Sequence, residues 1–193
     1  MNTTDLFVEI IVIGIGGIIW LSLLIFSFLD YQWILWDRAT AFISLIPFLA
    51  ITYVLGIILD RIADQIFKAC DKKLRKVQFS SNEEYHSARN YTYTYASEKI
   101  IGLFEYGRSR LRISRAWNIN FVLIAISLTI FIWKNFTDTS LDNKLKLTFV
   151  VVSVCGFGAT SSFLAWKKLA KNDYKRLKEM IDFLKQQKQK RES

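Results

Sequence analysis

Residues 6–29 read LFVEIIVIGIGGIIWLSLLIFSFL, twenty-four positions with one ionisable side chain, Glu9. A helix needs about 20 apolar residues to cross the hydrocarbon core of a bilayer, so this stretch decides the fold class. Residues 39–59, 116–133 and 147–166 form three further runs without a single Asp, Glu, Lys or Arg. The expectation is an all-α membrane protein whose four transmembrane helices form two hairpins, at about 6–29 with 39–59 and 116–133 with 147–166. Residues 1–5 carry no Lys or Arg, and the first run is longer than the ~7–15-residue core of a signal peptide, so it is expected to be a retained span.

The 193 residues are 52% hydrophobic and yet carry a formal charge of +9. The concentration of apolar residues excludes a soluble globular domain and a disordered chain. Cys70 and Cys155 are the only cysteines, too few for a disulfide scaffold. The charge is as unevenly spread as the apolar residues. Residues 61–117 hold twelve Lys and Arg against six Asp and Glu, and residues 167–193 hold ten against four, a surplus of six in each. Basic residues flanking spans are retained in the cytoplasm. Both segments, and with them both termini, are therefore expected on the cytoplasmic side of the plasma (inner) membrane, with short external loops near 30–38 and 135–146. Tryptophan favours the interface, and Trp33, Trp36, Trp133, Trp117 and Trp166 all fall at expected span ends, with only Trp20 in mid-span.

This gives a first hairpin over 1–60, a basic cytoplasmic helical domain over 61–117, a second hairpin over 118–166 and a basic amphipathic tail over 167–193. Past Leu59 the apolar residues Ile62, Ala63, Ile66, Phe67, Cys70, Leu74 and Val77 keep helical spacing, which predicts that the second span continues as a stalk to about Gln78. Asp64 with Lys68 and Asp71 with Arg75 are spaced as i,i+4 pairs. Ser80, Ser81 and Asn82 read as a loop, and Ser81 with Glu84 as a capping box for the next helix. Tyr91, Thr92, Tyr93, Thr94 and Tyr95 alternate like a strand, but no turn residues flank them. Helix is expected from 83 through to the third span, with Gly102 and Gly107 as points of bend or close packing. In the tail, Leu169, Leu177, Ile181 and Leu184 mark an apolar stripe, with Ala170, Tyr174 and Met180 beside it, suited to an anionic leaflet or to pairing with copies of itself.

Within the spans, Gly14, Gly16 and Gly17, and Gly156, Gly158, Ala159, Ser161 and Ser162, let backbones approach, either inside the chain or between copies; Gly14, Gly17, Gly158 and Ser162 are the main packing or pore candidates. Pro47 is the only proline and is placed to kink the second span. Glu9 is an intramembrane carboxylate, one turn from the cytoplasmic end, and reads either as functional or as snorkelling. Asn118, Asn120, Ser127 and Thr129 are candidates to line a path in the third span, which would need several copies around an axis.

The densest local feature is RSRLRISRAWN, with Arg108, Arg110, Arg112 and Arg115. Arginine's planar fork binds phosphate bidentately, and Arg108, Arg112 and Arg115 fall at i, i+4 and i+7 on one helix face. The run reads as an anchor on lipid phosphates, or as an anion-binding rim joined by Lys72, Lys73, Arg75 and Lys76, with Tyr91, Tyr93 and Tyr95 available to stack on bases. A voltage sensor fits poorly, because these arginines precede the span. His86 is the only histidine, which excludes paired-histidine metal sites, and no Walker, GxSxG or kinase pattern occurs. No enzyme, cofactor or metal is expected.

In layout, two membrane hairpins joined by a basic helical segment that ends in the arginine run, the chain resembles the small transmembrane effectors of bacterial anti-phage defence systems. The resemblance lies in topology and in the arginine run, and it assigns no residue roles. It implies a homo-oligomeric pore or membrane-disrupting effector whose cytoplasmic part senses a nucleotide or oligonucleotide. The other reading is a non-conducting anchor or sensor that recruits a soluble partner protein through its cytoplasmic helices.

Overall fold

The computed structural model describes residues 3–29 and 45–192. Among the described residues the regular structure is helical throughout, with no strand. Helix α1 spans Thr3–Phe28, α2 Leu45–Lys76, α3 Asn82–Tyr95, α4 Glu98–Asn135 and α5 Leu141–Glu192. Four of these, α1, α2, α4 and α5, are long and apolar enough to cross a membrane. Trp33, Trp36, the expected outer loop at 30–38 and the start of the second span at 39–44 lie outside the described residues.

The apolar runs are the middles of longer helices. α2 continues from its apolar run to Lys76 without a break, as the spacing after Leu59 requires. α4 carries the arginine run and the third apolar run on one 38-residue helix. α5 has 52 residues, about 78 Å at 1.5 Å per residue. Pro47 falls in the first turn of α2 as described, where a missing N–H leaves no ladder bond open, so it does not kink the described helix. The Ser81 hydroxyl accepts the Glu84 N–H, while the Glu84 carboxylate takes the Ser80 N–H. The box forms, but its carboxylate reaches one residue further back than the usual pattern. Helix does not run unbroken from 83 to the third span, because α3 stops at Ala96 and α4 starts after the N-cap Ser97.

Small residues set how closely the helices approach. α1 and α2 run in opposite directions and meet backbone to backbone: a Cβ on Gly14 would stand 1.8 Å from the Thr52 carbonyl oxygen, and one on Gly56 2.1 Å from that of Ile10. Gly16 makes room for Asn120 of α4, and Gly158 of α5 lies under the Phe121 ring. Gly17 faces Leu59. These glycines serve packing within the chain. Gly102 and Gly156 do not, since a Cβ on either meets nothing within 4 Å; the expected close approach at Gly102 is absent, and α4 continues through it as helix.

The charged ends of the long helices gather into a second core. Trp166, Ala170, Tyr174, Leu177 and Ile181 of α5 are buried against Phe67, Phe79 and Ala88. The Trp166 ring stands edge-on to Phe67 at 4.7 Å, so it packs inside the chain instead of lying free at an interface. The tail stripe therefore runs one residue away from the expected start at Leu169. Its buried residues are covered by α2, the turn after it and α3. Asp71 accepts from the Tyr174 hydroxyl at 2.8 Å and Asp64 pairs with Arg115. Both carboxylates reach across to other helices instead of along α2 to Arg75 and Lys68.

Candidate functional site

Where α1 and α2 leave their apolar runs, three helices bring charges together. Asp60 and Asp64 stand on successive turns of α2, facing Arg112 and Arg115 of α4. Arg112 forks onto Asp60, with Nε 3.2 Å from one carboxylate oxygen and Nη2 2.9 Å from the other. The same Nε lies 3.1 Å from Glu9 of α1, an ion pair without hydrogen-bond geometry because the proton points to Asp60. The Glu9 and Asp60 side chains are only 1% and 8% exposed. Arg115 reaches Asp64 at 2.6 Å. One guanidinium thus holds two buried carboxylates, one from each neighbouring helix. Glu9 is a fixed structural partner, and it does not snorkel.

Beside this knot a cleft of about 610 Å³ is lined by Arg61, Arg89, Arg108, Arg112 and Arg115, with Asp60 and Asp64 as its acidic residues and Leu6, Ile10 and Ile57 as its apolar wall. The i, i+4, i+7 face of α4 is turned into it. Arg89 and Arg108 both lie over the Tyr93 ring, at 5.7 and 5.2 Å from its centroid. Burial, and next the nearby Arg89 charge, hold the Arg108 guanidinium below the ordinary arginine value. No carboxylate forms an ion pair with Arg61, Arg89 or Arg108 among the described residues. The Tyr93 hydroxyl and Arg115 Nε are buried with no hydrogen-bond partner there. Like charges held together with unmet donors suit an anion with several acceptor oxygens, such as phosphate.

The structure separates the other residues named from sequence. Lys72, Arg75 and Lys76 line a smaller pocket of about 240 Å³ near the end of α2, with Phe79, Ser80, Ser81 and Asn82. Arg75 lies over the Tyr85 ring at 4.9 Å, and Lys73 is exposed without lining either space. Arg110 lies over Tyr106, on another side of α4. Tyr91 and Tyr95 stack on each other at 4.6 Å, so Tyr93 alone of the three meets the cleft arginines. Asn118 donates to the Ala159 carbonyl at 2.7 Å and Asn120 to that of Ile13 at 3.0 Å. Thr129 bonds its own helix at Ala125, Ser127 is buried, and Ser162 is half-buried. Sequence reasoning missed Arg61, Arg89 and Asp60. The one signal for Asp60 was its place directly after an uncharged run, where a carboxylate must find a partner.

Asp173 of α5 approaches α4 where Gly107 leaves room, its carboxylate oxygen 3.4 Å from where a Cβ would stand. Burial pushes its carboxyl above the ordinary aspartate value, aided by Asp71 and opposed by Arg108, Arg176 and Arg89. The folded chain then binds this proton more tightly than the unfolded chain, so stability from this group rises on acidification and is lost as pH rises through the folded value. Asp173→Asn is expected to raise the thermal midpoint in detergent at neutral pH and to weaken its rise on mild acidification. An unchanged pH profile would remove Asp173 as its source.

Comparison with known proteins supplies no family: no protein-family model, no curated protein and no solved structure matches this chain.

Proposed function

We propose that the chain is a multi-pass plasma-membrane protein of two hairpins with both termini cytoplasmic, and that a phosphate-bearing anion in the arginine cleft controls the permeability of an assembly of several copies. A nucleotide or oligonucleotide is the soluble form of such a ligand. The observation that carries this reading is the pairing of Arg89 and Arg108 over one tyrosine ring, in a cleft whose carboxylates, Asp60 and Asp64, pair with Arg112 and Arg115 instead. The topology is supported by packing. The basic 61–117 segment and the α5 tail share one core, as segments on one side of a membrane would. The position of the cleft links ligand to membrane, because its Arg112 also holds Glu9 of α1 and Asp60 of α2.

The test uses Arg89→Gln with Arg108→Gln, leaving the ion-paired Arg112 and Arg115 in place. Binding of a labelled short oligonucleotide or ATP to the full chain in detergent is expected to weaken about tenfold or more, at roughly 1 kcal/mol per lost basic contact. Flux from liposomes should lose its ligand response in parallel. Binding unchanged by both substitutions would sink the proposal, and a monomer in detergent and in liposomes would leave it without a conducting path.

The second reading is a non-conducting anchor that recruits a soluble partner. What favours it is a groove of about 350 Å³ between α4 and α5, where Ile100, Leu103, Phe104, Met180 and Phe183 stand beside Arg176 and Glu179.

A further inference from the structure

The arginines are only part of the cleft lining. Besides the ion-paired Asp60 and Asp64, Leu6 and Ile10 of α1 and Ile57 of α2 form an apolar wall, and all three belong to helices long and apolar enough to cross a membrane. Ile57 stands one turn before Arg61, so the wall changes from hydrocarbon to guanidinium within a single helical turn. Leu6 and Ile57 are also 36% and 38% exposed, and the apolar surface continues onto Val54, 54% exposed.

A free phosphate or a nucleotide phosphate would engage the arginines and leave this wall without a partner. An apolar surface beside exposed and half-buried guanidinia is satisfied together by a ligand that joins phosphate to hydrocarbon. A bulk leaflet contact would explain scattered basic residues at a span end. It does not explain why Arg89 and Tyr93, one turn apart on α3, meet Arg108 of α4 so that both guanidinia lie over the Tyr93 ring. That arrangement sets the guanidinia of Arg89 and Arg108 beside an apolar wall that leads toward the apolar runs.

Resting on the reading of the cleft as a phosphate site, we infer that its ligand is an anionic phospholipid, with the phosphate held by Arg61, Arg89 and Arg108 and the first acyl carbons laid on Leu6, Ile57 and Val54. The lipid then bridges α1, α2, α3 and α4 beside the Glu9–Arg112–Asp60 knot.

Native mass spectrometry of the full chain, released from a neutral detergent, tests this with three probes: phosphatidylglycerol, phosphatidylcholine and ATP. Two variant sets separate the walls: Arg89→Gln with Arg108→Gln, and Leu6→Asn with Ile57→Asn. The second set changes exposed positions, and Ile57→Ser alone serves as the milder version, with the thermal midpoint reporting that each variant is folded. Phosphatidylglycerol is expected to be retained about tenfold better than phosphatidylcholine, with the preference lost in the arginine set and retention weakened in the apolar set. Arginine-dependent ATP binding that ignores the apolar set, with no preference for phosphatidylglycerol, would overturn the lipid assignment and leave the phosphate cleft standing. If neither anion responds to the arginine set, the lipid assignment and the phosphate reading fall together.

Discussion

Arg112→Gln is expected to destabilise the fold by about 3–5 kcal/mol, the cost of stripping one partner from a buried ion pair. The reason lies in what remains behind. Glu9 and Asp60, 1% and 8% exposed, would face each other with no cation between them. Arg112→Lys should recover only part of the loss, because an ammonium cannot reproduce the fork onto both Asp60 oxygens. Glu9→Gln and Asp60→Asn placed on the Arg112→Gln background should restore most of the stability, since removing the whole charge set is far cheaper than leaving it unbalanced. Thermal unfolding of the variants in detergent reads this as a cycle. A single Arg112→Gln variant that melts within a degree or two of the parent would mean that the three charges do not form one unit.

Gly14→Ala is the other change with a large expected effect, although it adds one methyl group. The new Cβ would stand 1.8 Å from the Thr52 carbonyl oxygen, a backbone atom that cannot rotate away. α1 and α2 must separate, and the reciprocal contact of Gly56 with Ile10 opens with them. Overpacking of this kind costs about 1–3 kcal/mol, and the lost seam contacts add to it. Gly156→Ala is the matched control. Nothing lies within 4 Å of its Cβ, and alanine is favoured in a helix interior by about 0.8–1 kcal/mol, so this variant should be neutral or slightly stabilising. If both variants melt alike, the glycine seam does not hold α1 against α2.

Much of the fold was legible because membrane helices announce themselves by length. The run at 6–29 corresponds to α1, Thr3–Phe28, and the helical spacing after Leu59, read to about Gln78, carries α2 to within two residues of its end at Lys76. The arginine face at 108, 112 and 115 was legible for the same reason, since helical period is a local property. The partners of that face were not. Arg112 meets Asp60 across 52 positions of sequence, and no periodicity relates two helices that only the tertiary fold brings together. The same limit explains the tail. Its apolar stripe was visible in Leu177 and Ile181, but a stripe does not say what covers it, and Phe67 and Phe79 of α2 and the turn after it were the cover. Lys72 and Lys76 were grouped with the arginines by charge alone. They lie two to three turns beyond Asp64 along α2, about 12–18 Å at 1.5 Å per residue, and line a pocket of their own.

The unbroken α5 has a mechanical consequence. Its lower half is clamped by Trp166, Tyr174 and Ile181, while little of its apolar half is covered by the rest of the chain. A continuous helical ladder absorbs little bending between those halves. From Trp166 to Leu141 the rod extends about 38 Å at 1.5 Å per residue, so a tilt of about 5° at the clamp sweeps its far end through about 3 Å. The aromatic cluster that holds the other end of this rod is built around Phe67, on the same helix that carries Asp60 and Asp64.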